Sequence, residues 1–361
     1  MLTRKIARAI VRETSKRIHR NINIMDVDGR IIATRDNSRI DSLHEGALHV
    51  LDSGEPLLIH PGDSADWEGA QPGINLPILF KENIIGVIGI TGDPAEMEDI
   101  GALVKMTTEL MIKQEDIASQ MEWKQRTTEM VIEQLLSKQP SYSDIERGLS
   151  RLDFQLTAPF MSILIEVSDW AVTNRTLIER LETAVGTDTC LAGFISVHRL
   201  FIGITDMDKV TAGTFITPIQ ETLHDLGIPF RLSYSLPFTN IEGFHQSYLD
   251  CDLALRLSSP EKEIIPFTQM EVKALIHQLD KKMASRFSRR VLPHLSESAA
   301  RTLDMFFRHN LNLQKTADAL YVHRNTLIYR IHKIAEETGH DPRNFEDALI
   351  LQVALWIRER G

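Results

Sequence analysis

Apolar residues along the first hundred positions change their spacing several times, and each spacing predicts a different element. Leu2, Ile6, Ile10 and Ile18 recur with basic residues between them, as an amphipathic helix over 2–19 requires. The run Ile22-Asn-Ile-Met-Asp-Val-Asp-Gly-Arg-Ile-Ile-Ala33 places strand-forming residues on both sides of Asp28-Gly29, a strong short-range signal for a hairpin. Segments 75–80 and 84–90 are β-rich and are separated by Lys81-Glu-Asn83, which predicts a second hairpin. From Pro94 to about Lys138 the pattern turns helical, with Gly101 as its one internal glycine. This predicts a helix of roughly 60 Å at 1.5 Å per residue. Leu103, Leu110, Ile117 and Val131 lie at multiples of seven, with Met121 and Leu135 in the other seam position and Thr107, Gln114, Lys124 and Thr128 diluting the pattern. Such a seam suits either a signalling helix paired between two subunits or a helix packed on its own domain. Gln139-Pro-Ser-Tyr-Ser143 ends the helix and marks a domain boundary.

The middle of the chain opens with a helix-like stretch and the strand Phe160-Met-Ser-Ile-Leu-Ile-Glu-Val167. A helix over 176–185 follows, then strands over 190–197 and 200–204 joined through His198-Arg199. A further helix, a strand over 230–234 and a helix over 241–257 complete the segment. The β-α-β-β-α-β order is that of a ferredoxin-like sheet, which nucleotide cyclases share. A catalytic version of the central hairpin would carry Gly-Gly and paired acids for metal and phosphate, and Val197-His-Arg-Leu200 has neither. The strands and helices of the front hundred residues suggest a small α+β sensor of the PAS or GAF kind. The expected whole is an α+β multidomain chain: sensor 1–115, linker helix 116–140, a degenerate ferredoxin-like domain 141–268 and an all-α C-terminal domain 285–361.

The C-terminal pattern carries the most specific chemistry. From Ser296 to Asn310 an amphipathic helix places Leu303, Phe306 and Phe307 on one side. Asn312 is positioned to cap a second helix, Leu313 to Leu320, in which Ala317 is small enough for a close helix crossing. After Tyr321-Val-His323, the stretch Arg324-Asn-Thr-Leu-Ile-Tyr-Arg-Ile-His-Lys-Ile334 repeats Leu327, Ile328, Ile331 and Ile334 at helical spacing. This is a helix-turn-helix, whose second helix enters the major groove with its N-terminal residues at base edges. Arg324 and Asn325 suit guanine and adenine edges, and Thr326 a phosphate or thymine methyl. Tyr329, Arg330 and Lys333, with His323 at the turn, suit phosphates.

Net charge is −10, which by itself argues against a nucleic-acid partner. Its distribution reverses that inference. From Arg286 onward there are 12 Lys and Arg against 9 Asp and Glu, leaving 28 against 41 in the rest of the chain. Tyr321 to Lys333 contains three cations, two histidines and no acid, the local positive surface that double-stranded DNA requires. Apolar content of 43% supports several packed cores. No apolar run approaches the twenty or so residues of a membrane span. The basic start lacks an uninterrupted apolar core and a small-residue cleavage site, so a cytoplasmic location is expected. Cys190 and Cys251 have no metal-ligand spacing and read as core fillers. No catalytic residue, metal or cofactor is expected.

Thr316-Ala-Asp-Ala-Leu-Tyr-Val-His-Arg-Asn-Thr-Leu-Ile-Tyr-Arg-Ile-His-Lys-Ile-Ala-Glu-Glu-Thr-Gly339 resembles the C-terminal PucR-type helix-turn-helix. Asn21-Ile-Asn-Ile-Met-Asp26, Gly29-Arg-Ile-Ile-Ala33, Arg39-Ile-Asp-Ser-Leu-His-Glu-Gly-Ala47, Gly73-Ile-Asn-Leu-Pro-Ile78 and Gly86-Val-Ile-Gly-Ile-Thr-Gly-Asp-Pro94 resemble a sugar diacid recognition domain. The middle segment is similar to a degenerate GGDEF-like domain. Together they follow the order of the carbohydrate diacid regulator family. The resemblance implies a cytosolic activator of operons for uptake or breakdown of small hydroxy acids such as glucarate, galactarate or glycerate, and a homodimer or higher homo-oligomer is expected.

Small dianions need fixed positive charge and hydrogen-bond donors. The candidate effector residues are Arg39, His44 and Asn75, with Arg35 and Thr91 behind them. Asp41 adds an acid beside this group, and 63–67 forms an acidic loop with no assigned place. Other readings keep the DNA-binding function with a purine catabolite or an amino acid as effector, or make the cyclase-like middle domain a nucleotide binder.

Overall fold

The computed structural model describes residues 2–63, 67–207 and 212–359. The acidic loop 63–67 therefore falls partly outside the described residues. The chain divides into two compact units, Met1–Arg126 and Thr127–Gly361.

The front unit is one antiparallel sheet covered on both faces. Helix α1 (Arg4–Ile18) is capped by Thr3, whose hydroxyl accepts the Ile6 amide, and buries Ala7, Ile10 and Val11. Strands β1 (Ile22–Met25) and β2 (Ile31–Thr34) form the first expected hairpin. Its turn is tied by the Asp26 carboxylate, which accepts the amides of Asp28 and Arg30 at 3.1 and 2.9 Å. Helix α2 (Glu45–Ser53), strand β3 (Leu57–Ile59), strands β4 (Gly73–Phe80) and β5 (Asn83–Thr91), and helix α3 (Pro94–Leu136) follow. The β4–β5 turn puts Lys81 and Glu82 at φ 50° and 65°, the left-handed pair of a tight hairpin. Sheet order is β2-β1-β5-β4-β3. On one face Ile22, Ile24, Ile74, Leu76, Ile88 and Ile90 pack with α1 and the start of α3. On the other, Met25, Ile31 and Val87 pack beneath Ala47 and Val50 of α2. Coverage of both faces explains why β4 and β5 read as nearly continuous apolar runs.

Helix α3 has 43 residues, about 65 Å, and it splits the seven-residue seam in two. Leu103, Leu110, Ile117 and Met121 are 40–58% exposed, whereas Val131 and Leu135 are at most 3% exposed. Those last two pack with Ile145, Leu191, Phe201 and Phe244 of the same chain. A pairing seam running through Val131 and Leu135, as the spacing suggested, would require opening that core. Among the described residues, Leu103, Leu110 and Ile117 keep the exposed part of that seam.

The second unit begins with α4 (Tyr142–Leu152), β6 (Met161–Val167), α5 (Asn174–Val185), β7 (Cys190–Ser196) and β8 (Arg199–Ile204). It continues through α6 (Ala212–Asp225), β9 (Phe230–Tyr234), α7 (Gly243–Leu257) and β10 (Ile264–Pro266). Sheet order is β10-β9-β6-β8-β7, so its first four strands in chain order sit as 4-1-3-2, with β10 added in parallel to β9. That is the ferredoxin-like arrangement expected from the element order. At the β7–β8 hairpin, Arg199 donates to Glu166 and Asp252, both at 2.7 Å. Cys190 and Cys251 lie in the core; burial pushes the Cys190 thiol up to about 12 and the Cys251 thiol up as well.

Six helices complete this unit: α8 (Glu271–His277), α9 (Lys281–Val291), α10 (Glu297–Arg308), α11 (Leu313–Ala319), α12 (Arg324–Thr338) and α13 (Phe345–Glu359). Lys273 on α8 joins the layers, with its ammonium 2.7 Å from Glu359 on α13 and 3.4 Å from the Leu257 carbonyl that ends α7. Among the described residues no helix is long and apolar enough to cross a membrane.

Candidate nucleic-acid interface and effector site

Helix α12 is seated by a small core. Leu327, Ile331 and Ile334 are at most 2% exposed, and Ala317 of α11 is fully buried. Leu327, Ile331 and Ala317 meet Phe306, with Val322 packing beneath the turn. Asn312 caps α11, its side-chain oxygen accepting the Lys315 amide at 3.0 Å. His323 caps α12 through Nδ1, which accepts the Asn325 amide at 3.2 Å. The turn between the helices places Tyr321 in the left-handed region at φ 53°.

With the apolar edge of α12 turned inward, its polar edge faces solvent. Arg324, Asn325, Thr326, Tyr329 and Lys333 are exposed, and Arg330 is half-buried. His323, exposed as well, is committed through Nδ1 to its cap, so Nε2 is the nitrogen left for a phosphate. Among the described residues Arg324 and Arg330 form no ion pair. Lys333 lies 3.8 Å from Glu337, an exposed pair that a phosphate can displace at little cost.

The candidate effector residues gather less completely. His44 is 3% exposed and caps α2, its Nδ1 accepting the Ala47 amide at 3.2 Å. Burial, reinforced by the nearby Arg39 guanidinium, lowers its pKa to about 4. The ring is therefore neutral at physiological pH, and the bond at Nδ1 leaves the proton on Nε2. Arg39 is half-buried and donates to the Gly69 carbonyl, while its other terminal nitrogen is enclosed without a partner. The His44 ring, Leu57 and Ile59 converge around Gly46, and Leu57 pairs with Asn75 across the β3–β4 ladder. Asn75 is 3% exposed and Thr91 half-buried, with Thr91 Oγ1 3.4 Å from Gln71 Oε1. Arg39, His44 and Asn75 thus belong to the α2 side of the sheet, and Thr91 lies along the same side of β5. Arg35 is exposed and makes no described contact with the others. Asp41 is paired with Arg4, whose hydrogen bond holds its carboxyl below the usual range, so its charge is already balanced. Asn21 and Asn23 on this side of the sheet were passed over in the sequence. The signal for them was an asparagine inside an apolar strand.

A ferredoxin-like domain followed by a capped helix-turn-helix with an open basic helix defines a DNA-binding transcriptional regulator. Family models agree: residues 2–135 match sugar diacid recognition, 137–257 a GGDEF-like domain and 299–357 the PucR C-terminal helix-turn-helix. The chain is 29% identical to the carbohydrate diacid regulator of Escherichia coli, with 99% of this chain and 98% of that one covered. It is 30% identical to an uncharacterized protein of Haemophilus influenzae, covering 99% of each. Over 44% of this chain and 33% of the other, it is 32% identical to the purine catabolism regulatory protein of Bacillus subtilis. The chain belongs to the carbohydrate diacid regulator family.

Proposed function

We propose that this protein is a cytoplasmic, effector-responsive activator of operons for the uptake or breakdown of sugar diacids, glycerate or related small hydroxy acids. The observation that carries the reading is α12, with Arg324, Asn325, Thr326, Tyr329 and Lys333 open to solvent on a helix seated by a buried apolar edge. Arg324 and Asn325 read base edges, while Tyr329, Arg330, Lys333 and His323 hold the backbone. A homodimer presents two such helices to half-sites about 34 Å apart or a multiple of that. The effector binds in a PAS- or GAF-like sensor, residues 1–115, through Arg39, His44 and Asn75, with Thr91 along the same sheet face and Arg35 at the margin. The helical segment 116–140 passes the signal to 141–268 and the DNA-reading domain 285–361. The Ser196-Val-His-Arg199 hairpin, with no Gly-Gly and no acid, supports a middle domain without a catalytic role.

Electrophoretic mobility on the protein's own promoter DNA tests the reading. Arg324→Ala should weaken specific binding about 5- to 150-fold, the range of one bidentate base contact. Undiminished sequence-specific binding by that variant would remove α12 as the recognition helix. The similarity to a purine catabolism regulator favours one second reading, a purine-derived effector. A thermal-shift panel of hydroxy diacids and glycerate against purine breakdown products separates the two.

A further inference from the structure

We infer that the α2 side of the front sheet is a hydroxyl-reading floor, on which Asn23 and Asn75, flanking Gly89, hydrogen-bond the hydroxyl groups of an open-chain polyhydroxy carboxylate. The inference rests on the reading of this unit as a hydroxy-acid sensor and extends it to the residues that read the hydroxyls.

One row of the sheet crosses all five strands. Thr34 pairs with Asn23, Asn23 with Gly89, Gly89 with Asn75 and Asn75 with Leu57. Strand alternation puts the row opposite the Ile22, Ile24, Ile74 and Ile88 core, on the side of Met25 and Val87. A Cβ built on Gly89 would meet Asn75 Oδ1 at 2.7 Å and Met25 Cε at 3.5 Å, which fixes both side chains on that face. Asn23 and Asn75 are each 3% exposed and Thr34 9%. A polar row under a helix is unusual, because a buried amide costs stability unless it is hydrogen-bonded.

The bonding inside the row is incomplete. The Asn75 carboxamide has no hydrogen-bond partner among the described residues. Asn23 accepts from Asn21 Nδ2 at 3.3 Å, its own amide N–H groups donating to none of the described residues. Asn21 Oδ1 and one terminal nitrogen of Arg39 are both buried without a partner. Thr34 accepts the Asp36 amide at 3.2 Å. Unsatisfied groups on β1, β4 and the Arg39 segment thus collect on one side of one unit, where a glycine keeps the two carboxamides from being separated by a side chain.

The donor and acceptor types select the ligand. A carboxamide offers both a donor and an acceptor, as a hydroxyl does, and carries no charge. Two of them on the α2 side of the sheet, in the unit where one terminal nitrogen of Arg39 is buried without a partner, suit a molecule with several hydroxyls and a carboxylate. A site built this way rejects an analogue lacking the hydroxyls, because its buried amides stay unpaired.

Calorimetric titration of the full chain with galactarate and with adipate tests this. Both probes are six-carbon dicarboxylates, the first hydroxylated along its length and the second bare. Galactarate should bind about a hundredfold or more tighter than adipate. Asn23→Leu, Asn75→Leu and Gly89→Ala should each erase most of that ratio while thermal unfolding stays cooperative. Equal affinity for the two probes overturns the hydroxyl-reading floor and leaves the sensor reading intact. So do variants that fold and keep the full ratio. No binding of galactarate, glucarate or glycerate overturns both. Where a Leu variant fails to fold, Asn23→Ala and Asn75→Ala read the same ratio, and equal affinity of the unaltered chain for the two probes overturns the floor without any variant.

Discussion

On α12 the side chains proposed to meet DNA stand in solvent, with Arg324, Asn325, Thr326 and Lys333 exposed and the helix held by Leu327, Ile331 and Ile334 underneath. On the α2 side of the front sheet, Asn23, His44 and Asn75 are 3% exposed, and Asn75 has no bonding partner among the described residues. The two regions answer different physical demands. Duplex DNA brings its own charge and counterions, so the protein needs only an open, correctly shaped positive edge, and affinity falls steeply with salt. A small hydroxy acid, the effector proposed for the front unit, must be removed from water, a demand that buried polar groups suit.

That contrast is sharpest in acid. His44 titrates near 4 in the folded chain against 6.5 unperturbed. The unfolded chain therefore takes up a proton at a pH where the folded chain does not. The resulting stability is complete above about 6.5 and is lost as pH falls toward 4, by at most about 3 kcal/mol. His44→Asn retains a capping acceptor and removes the titration. Its melting temperature should depend less on pH across that window; an unchanged slope would mean that His44 is not the group responsible.

A smaller effect tests whether the open face of α12 is set by what lies beneath it. Ala317→Leu adds volume at a fully buried crossing and should cost roughly 1–3 kcal/mol. Differential scanning calorimetry should show the loss, and mobility shifts should show weakened operator binding although every cation of α12 is retained. Full operator affinity in this variant would show that the crossing does not position the helix.

The smallest stability effect belongs to Lys333, whose exposed pair with Glu337 contributes little. Lys333→Ala should move stability by less than about 0.5 kcal/mol. It should still lower the slope of log affinity against log salt by about one unit, uniformly across DNA sequences. A change in stability without a change in slope would place Lys333 on the structural side of the comparison.

Local spacing sufficed for the elements whose residues interact with near neighbours. The two front hairpins, the long helix, the β-α-β-β-α-β order, the Asn312 cap and the helix-turn-helix were all legible, because turns, caps and helical faces are decided within a few residues. Strands β3 and β10 were not, being three residues each and held by neighbours far along the chain. Helix α13 also escaped, since its nearly continuous apolar sequence lacks a clear stripe.

Residue types and their spacing determined that this chain has a basic reading helix and a hydroxy-acid-sensor signature. Tertiary structure decided which of the polar residues face each other. Asn23, Gly89 and Asn75 are far apart in sequence and become neighbours only through the β1–β5 and β4–β5 ladders. It likewise divided the seam of α3, exposing Leu110 and burying Val131. Periodicity names the side of a helix or strand, and the packing of other segments against that side decides whether water, the core or a ligand meets it.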